Sequence, residues 1–205
     1  MTEYISKRML EHHITSVANG RLEEDSAPDF ERLEEYTELV DDLRLGLDQY
    51  CDAGPFKKGL HYLLATPGID LVWYCESDRP YLDNEARLVL EFIWRHLYPS
   101  EPIPTTPPEG VELIGLGTSP DDWWQARHMI HRIKEGDTFM KIAADHNVAL
   151  EQLREINHIR WSEYGSSDPL PPRRLVWIRE EGKCHPEDEH GLTEDDLKRL
   201  GITPP

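Results

Sequence analysis

The stretch from Met129 to Ile178 constrains the fold of this chain more than any other, because it alone carries the pattern of a complete small domain. It opens on an alternating run over 129–133, which is typical of a strand. Gly136 then permits a tight turn, and Asp137 or Thr138 can accept hydrogen bonds from the free N–H groups of a starting helix. The sequence therefore predicts a strand, a turn and a helix start.

Two short helices and a second strand are predicted after this turn. Apolar residues at helical spacing over 139–143 indicate the first helix, and a second apolar stripe over 149–157 indicates another that closes at Asn157. The run 174–178 is rich in branched and aromatic residues, and Pro171-Pro172 prevents a helix immediately before it. The predicted order is strand, helix, helix, strand.

These residues together resemble a LysM domain over 128–179. The resemblance rests on the Gly-Asp-Thr turn, the Ile-Ala pair that follows it and the asparagine that ends the second helix, with the matching residues His131 to Phe139, Ile142-Ala143, Val148, Leu153, Asn157 and Leu170-Pro171. The family usually has Pro-Gly before its last strand, whereas Pro172 or Arg173 stands at the glycine position here.

The resemblance implies a βααβ fold that binds N-acetylglucosamine-containing glycans, peptidoglycan or chitin, and does not catalyse a reaction. The glycan would lie between the first strand-to-helix turn and the loop before the second strand. The ligand-binding residues implied by position are Gly136, Asp137, Thr138 and Phe139 on one side and Asn157, His158 and Ile159 on the other. The loop from Asn157 to Pro171 is a little longer than the family's, and Trp161 within it could stack on a sugar.

Each of these residues also has a purely structural interpretation. Asp137 and Thr138 suit the cap of the following helix, which requires side-chain oxygens at its N-terminus. Trp161 could instead cover the small hydrophobic core. The sequence leaves both interpretations open.

The rest of the chain predicts a mostly helical first domain, so the fold class is α+β. We assign an acidic helical domain to 1–98, a Pro-rich linker with a Trp123-Trp124 clasp to 99–127, and a charged tail with a short helix to 180–205. Helices are expected over 3–18, from Pro28 to Tyr50, over 56–64 and over 83–98, with Ala53-Gly54-Pro55 ending the second of them. A strand is expected over 111–116, and 69–75 is either a buried strand or part of a buried helix.

Charge narrows the partners of the chain. The 205 residues include 40 acidic and 22 basic side chains, which gives a formal net charge of −18. The resulting field repels nucleic-acid phosphate and anionic lipid surfaces, so no nucleic acid and no membrane is expected as a partner. The charge is compatible with a glycan partner or with a protein partner, including a basic protein.

Localisation is predicted from the termini and the cysteines. The N-terminus lacks the apolar core of a signal peptide, and no apolar run reaches a membrane-spanning length. Cys51, Cys75 and Cys184 are an odd number at wide spacing, which argues against a disulfide framework and favours a reducing compartment. We therefore expect a cytoplasmic protein.

The sequence contains no catalytic motif, so we expect no enzyme, no cofactor and no metal. Adjacent side chains such as His12-His13 diverge on a helix, and the segment 184–190 lacks the second cysteine pair of a zinc site. The predicted function is a non-catalytic binding or adaptor protein, as a part of a phage-like tail or injection machine in its most concrete form. The alternative is a cytoplasmic inhibitor, immunity protein or chaperone whose acidic domain covers a basic toxin or effector.

Overall fold

The chain begins with a strand where the sequence pattern predicts a helix. In the computed structural model, which describes residues 1–19, 33–75 and 82–203, strand β1 (Glu3–Ser6) precedes helix α1 (Lys7–Ala18). The helix predicted over 3–18 is therefore wrong in its first turn. Tyr4, Ile5 and Ser6 are all buried, and Ser6 ends the strand by accepting a hydrogen bond from the Met9 N–H as the N-cap of α1.

Five further helical segments lie in the described ranges 33–75 and 82–98 of the N-terminal part. They are a 3₁₀ helix (Leu33–Tyr36), α2 (Thr37–Gln49), α3 (Ala53–Ala65), α4 (Val72–Cys75) and α5 (Asp83–Leu97). The helix over 83–98 is confirmed, and the run 69–75 contributes a short helix. The start of the helix predicted from Pro28 lies outside the described residues.

The segment Ala53-Gly54-Pro55 begins a helix instead of only ending one. Proline is tolerated in the first helical turn because its missing N–H would have no partner there, so α3 starts three residues earlier than the predicted 56–64. Its buried face includes Phe56, Leu60 and Leu63. These side chains pack into a large hydrophobic cluster with α1, α2 and α5.

The proline-rich segment over 99–127 adds a strand and a helix to this cluster. Strand β2 (Val111–Ile114) confirms the strand expected there, and it pairs in parallel with β1. Helix α6 (Pro120–Ala126) starts at the N-cap Ser119, and it buries both Trp123 and Trp124.

The small module follows in the predicted order. It consists of β3 (Ile130–Arg132), α7 (Phe139–Asp145), α8 (Leu150–Ile156), a single extra turn α9 (His158–Trp161) and β4 (Leu175–Trp177). The two strands pair antiparallel, with Ile130 opposite Trp177 and Arg132 opposite Leu175. The mixed α+β class is confirmed.

The short sheet of the module separates two hydrophobic clusters. Ile133, Val176 and Ile178 belong to the small cluster under α7 and α8. Met129 and Ile130 belong to the large cluster, and Leu175 and Trp177 pack against it. The module therefore lies directly against the N-terminal helices and shares apolar side chains with them.

The C-terminal segment returns to the N-terminal helices. After a 3₁₀ helix (Pro186–Glu189), Leu192 bridges to Tyr4, and α10 (Glu194–Arg199) buries Leu197 in the large cluster. Thr193 caps α10 through its hydroxyl. The segment is charged on its surface, yet Leu192 and Leu197 are as buried as core residues.

Cys51 and Cys184 form a disulfide, which corrects the expectation that the cysteines stay reduced. The two residues are 133 positions apart in sequence, but their Cα atoms lie 5.3 Å apart. Wide spacing of cysteines in sequence is therefore no argument against a disulfide in a chain whose C-terminal segment packs against its N-terminal helices. Cys75 is buried as a free thiol.

None of the helices within the described ranges combines the length and the apolar character that crossing a membrane requires.

Candidate functional site

The Gly-Asp-Thr turn is held together by the buried carboxylate of Asp137. It accepts hydrogen bonds from His131 Nε2 at 2.8 Å, from the Lys134 N–H at 2.8 Å and from Lys141 Nζ at 2.7 Å. Burial alone would raise the pKa of Asp137, but these three donors outweigh it and lower the pKa well below its usual value. Asp137 therefore fixes the turn and is almost entirely shielded from solvent.

The neighbouring turn residues shape the backbone. Gly136 has a φ of +81°, a left-handed conformation that glycine adopts without strain. Thr138 is the N-cap of α7, and its hydroxyl accepts from the Lys141 N–H at 3.2 Å. The capping interpretation of Thr138 thus has a direct structural basis.

Asn157 joins the end of α8 to β4. Its Nδ2 donates to the carbonyls of Leu153 and Trp177 at 2.8 and 2.7 Å, and its Oδ1 accepts from the Trp177 N–H at 2.9 Å. With every polar atom of its amide engaged and only 2% of its surface exposed, Asn157 has no group left to offer a ligand.

The sheet register separates the predicted site residues into two sets. The turn follows Arg132, which pairs with Leu175, whereas Asn157 is bound to Trp177, which pairs with Ile130 at the other end of the sheet. The turn residues Gly136 to Thr138 and Asn157 therefore lie toward opposite ends of β3 and β4, although the sequence predicts them for one groove.

Three of the eight predicted residues meet in one groove. This groove has a volume of about 450 Å³, and its lining includes Phe139 from the start of α7, Glu151, Arg154 and Glu155 from α8, and His158, Trp161 and Ser162 from the following turn. Phe139 and Trp161 lie almost fully buried at the base of the groove, while the other side chains supply a charged and polar rim.

Arg154 fixes the long loop beside this groove. Its Nη1 donates to the Ser166 hydroxyl at 2.8 Å, and its Nη2 donates to the Tyr164 carbonyl at 3.2 Å. The Met140 N–H also donates to the Ser166 carbonyl, so the first turn of α7 and the loop are in contact. The groove is a preformed feature of the module.

Trp161 packs into the small core and still leaves one polar atom unsatisfied. Its ring meets Tyr164 edge to face at 5.6 Å. Its buried Nε1 has no hydrogen-bond partner among the described residues. Such an atom is unusual in a protein interior, because burying a donor without an acceptor is unfavourable.

A second cavity of about 670 Å³ lies beside the first. Asn157, His158 and Ile159 line it together with Trp177 and with residues that follow β4. His158 lines both cavities, whereas Gly136, Asp137 and Thr138 line neither.

Three histidines extend from Asp137 in a chain. His131 Nδ1 lies 3.0 Å from His146 Nε2, and His146 Nδ1 lies 3.4 Å from His128 Nδ1. Burial, together with the neighbouring His131 and His128, lowers the pKa of His146 to about 4. The rings contact one another in sequence instead of converging on a point, and no group of three or more His, Cys, Asp or Glu in the described part of the chain is arranged to hold a metal ion.

Sequence inspection missed a buried polar centre around Asp52. The carboxylate accepts from Trp123 Nε1 and Trp124 Nε1 at 2.9 Å each and from Arg127 Nη1 at 2.8 Å, and it lies 3.0 Å from His13 Nε2. These donors lie 39 to 75 residues from Asp52 in sequence, so no local motif could reveal the centre. It links α1, α3 and α6.

The two antiparallel strands with two helices between them define a small βααβ binding module with a preformed groove. The family model of the LysM domain matches residues 131–162, from β3 through α9, and this segment is a LysM domain. LysM domains are binding modules for glycans such as peptidoglycan and chitin. A search of curated proteins and a search of solved structures each found no significant match to the chain.

Proposed function

We propose that this chain is a non-catalytic binding protein whose LysM domain holds an N-acetylglucosamine-containing glycan in the groove lined by Phe139 and Trp161. The observation that carries the proposal is the position of the groove. All of its lining residues lie between 139 and 162, inside the matched domain, where the end of the Gly-Asp-Thr turn meets the loop after α8.

The lining of the groove suits a sugar. A pyranose ring presents C–H groups on its faces and hydroxyls around its edge, so it requires an apolar floor and a polar rim. Phe139 and Trp161 supply the floor, and Glu151, His158 and Ser162 supply donors and acceptors at the rim. The buried residues Asp137 and Asn157 act indirectly in this proposal, by holding the turn and the loop in place.

Sedimentation with insoluble peptidoglycan and chitin tests the proposal. Ser162 is exposed at the groove, so Ser162→Tyr fills it without disturbing the core, and Glu163→Tyr on the next exposed residue is the matched control. We expect the wild type and Glu163→Tyr to sediment with at least one of the two glycans and Ser162→Tyr to stay in solution. Equal sedimentation of all three variants would place the glycan elsewhere, and sedimentation of none would reject the function.

The finer proposal is an adaptor that couples the glycan to a protein partner, as in a phage-like tail or injection machine. It is supported by the shared packing of Met129 and Ile130 with the N-terminal helices, which would transmit force between the two parts. The charge of −18 favours a basic partner. Such a partner would be retained on immobilised full-length chain at low salt and released at high salt, with the glycan still bound; a chain that retains no protein at low salt would contradict the adaptor role.

A further inference from the structure

The larger cavity of about 670 Å³ lies where the LysM domain meets the segment that follows β4. One wall comes from the end of α8 and from α9, including Gln152, Glu155 and Arg160. The other wall comes from Glu180, Glu181 and Lys183, which lie beyond the matched residues 131–162. The cavity is therefore a property of this chain and not of the LysM domain alone.

Trp177 lines this cavity, and packing fixes the plane of its ring. Its ring stacks on Tyr50 with 5.9 Å between centroids and 20° between planes, and Tyr50 stacks on Trp124 at 4.1 Å. Trp124 is in turn held by the Asp52 carboxylate. A half-buried indole whose orientation is fixed by packing offers an apolar platform at little entropic cost.

Polar groups surround this platform. Gln152, Glu155 and Arg160 line the cavity, and none of their side chains forms a hydrogen bond with another residue in the described ranges. Together they supply an amide, a carboxylate and a guanidinium, which donate to and accept from hydroxyl and acetamido groups. Both walls carry charges of both signs. The first wall has Glu155 and Arg160, and on the outer wall Glu180 is paired with Lys183.

The outer wall is held in place by contacts with α2. The Gly182 N–H donates to the Gln49 carbonyl at 2.9 Å, and Gln49 Nε2 donates to Glu181 at 3.0 Å. The disulfide between Cys51 and Cys184 closes the same segment one residue beyond Lys183. The cavity thus has two fixed walls and a fixed platform.

We propose that this cavity is a second saccharide-binding site, in which a sugar ring stacks on Trp177 and bonds to Gln152, Glu155 and Arg160. It lies at the end of the sheet away from the Gly-Asp-Thr turn, and it adjoins the groove through Glu155 and His158, which line both. The proposal rests on the glycan function proposed above, since the same class of ligand, an oligomer of N-acetylglucosamine, would bind at each of the two sites independently.

Titration of the full-length protein with the soluble tetramer of N-acetylglucosamine tests the second site. The indole N–H resonances of Trp161 and Trp177 report on the groove and on the cavity separately. We expect the tetramer to shift both resonances in the wild type. In the double variant Gln152→Ala/Arg160→Ala, whose substitutions are at exposed positions, the affinity measured at Trp177 should fall about tenfold because hydrogen bonds to a charged group are lost, and Trp161 should respond as before.

The variant Ser162→Tyr separates the two proposals. It should remove the response of Trp161 and leave the response of Trp177. If Trp177 stays unshifted while the groove saturates, or if Ser162→Tyr removes both responses, the second site is rejected and glycan binding in the groove stands. A response of Trp177 alone would reject the groove and keep the cavity, and a response of neither tryptophan would reject both.

Discussion

Arg127 and Asp52 form a buried ion pair in which Nη1 of the guanidinium lies 2.8 Å from Oδ1 of the carboxylate. The same guanidinium reaches the Cys51 carbonyl and the Asp188 carbonyl, and Asp188 in turn accepts from Arg179. This network joins the N-terminal helices, the end of the LysM domain and the C-terminal segment. Because Asp52, Arg127 and Asp188 are almost fully shielded from water, each of these charges depends on its partners.

Asp52→Asn should strongly destabilise the whole chain. The substitution keeps the shape of the side chain but removes the charge, so the buried Arg127 loses its nearest counter-ion and keeps only the Asp188 carboxylate, 3.4 Å away. We expect the free energy of unfolding to fall by about 3–5 kcal/mol, as for buried pairs that lose one partner. Urea unfolding followed by tryptophan fluorescence measures this change.

Asp48→Asn is the matched control for this prediction. Asp48 lies in α2 four residues earlier and its side chain is exposed, so the control should change stability by less than about 0.5 kcal/mol. Equal effects of the two substitutions would mean that Asp52 acts only through general surface charge.

The N-terminal half shows what sequence periodicity can and cannot predict. The helix over 83–97 follows from a broad apolar face alone, because helix propensity and burial agree there. Strand β1 was missed because its partner β2 lies more than 100 residues later, and only that pairing makes Glu3–Ser6 extended. The disulfide and the Asp52 centre were missed for the same reason, since each joins residues that are distant in sequence.

His146 should make the stability of the LysM domain sensitive to pH. Its pKa is about 4 in the folded chain against an ordinary value of 6.5, because burial and the facing His131 and His128 disfavour the cation. Between these pH values the unfolded chain binds more protons, so the free energy of unfolding falls as the pH falls from 6.5 to 4 and changes no further below 4 through this group. We expect a loss of about 1–2 kcal/mol once the partial exposure of the ring is discounted.

His146→Gln should reduce this pH dependence, measured by thermal unfolding at a series of pH values. Among the charged groups near the ring, Asp145 opposes the shift and Lys134 adds to it, so salt should change the effect only modestly. His158→Gln, at an exposed position, is the control and should keep the wild-type profile. An unchanged profile in His146→Gln would assign the pH dependence to other groups.

The disulfide should make a large contribution to stability. Opening it in Cys184→Ser frees the C-terminal segment from α2, and we expect a loss of about 2–4 kcal/mol in urea unfolding. Cys75→Ala serves as the control, since it removes a cysteine without opening the bond and buries no hydroxyl in the core. The same unfolding midpoint for Cys184→Ser and the wild type would show that the two cysteines are not paired in solution.

The free thiol of Cys75 allows an independent test of the disulfide. Burial raises the pKa of Cys75 to about 12, so its reactive thiolate is scarce and shielded at neutral pH. Native protein should therefore take up no alkylating reagent by mass spectrometry, and protein that is reduced and unfolded should take up three equivalents, one for each cysteine. Labelling of Cys51 or Cys184 in the native, unreduced protein would contradict the disulfide.

The sequence predicts the fold of the candidate site better than the arrangement of its side chains. The Gly-Asp-Thr turn and the order of strands and helices follow from local spacing, and both are present in the structure. Which residues face a cavity depends instead on the register of β3 with β4, which local spacing does not determine. Asp137 and Asn157 were predicted as contacts because of their position in the family pattern, and the structure uses their polar atoms to hold its own backbone.

Arg173→Gly should stabilise the LysM domain. Arg173 has a φ of +70° just before β4, and a side chain in this left-handed conformation is strained. Glycine removes the strain, although it loses more backbone entropy on folding, and we expect a net gain of about 0.5–1 kcal/mol. The hydrogen bond from the residue 173 N–H to the Ile133 carbonyl is kept in the variant.

Arg174→Gly, outside the left-handed region, is the control. It should destabilise the domain, because it adds only the entropic cost and removes the cation over Trp161. Urea unfolding of both variants decides the matter, since a loss of stability in Arg173→Gly would show that the arginine side chain contributes more than the strain costs.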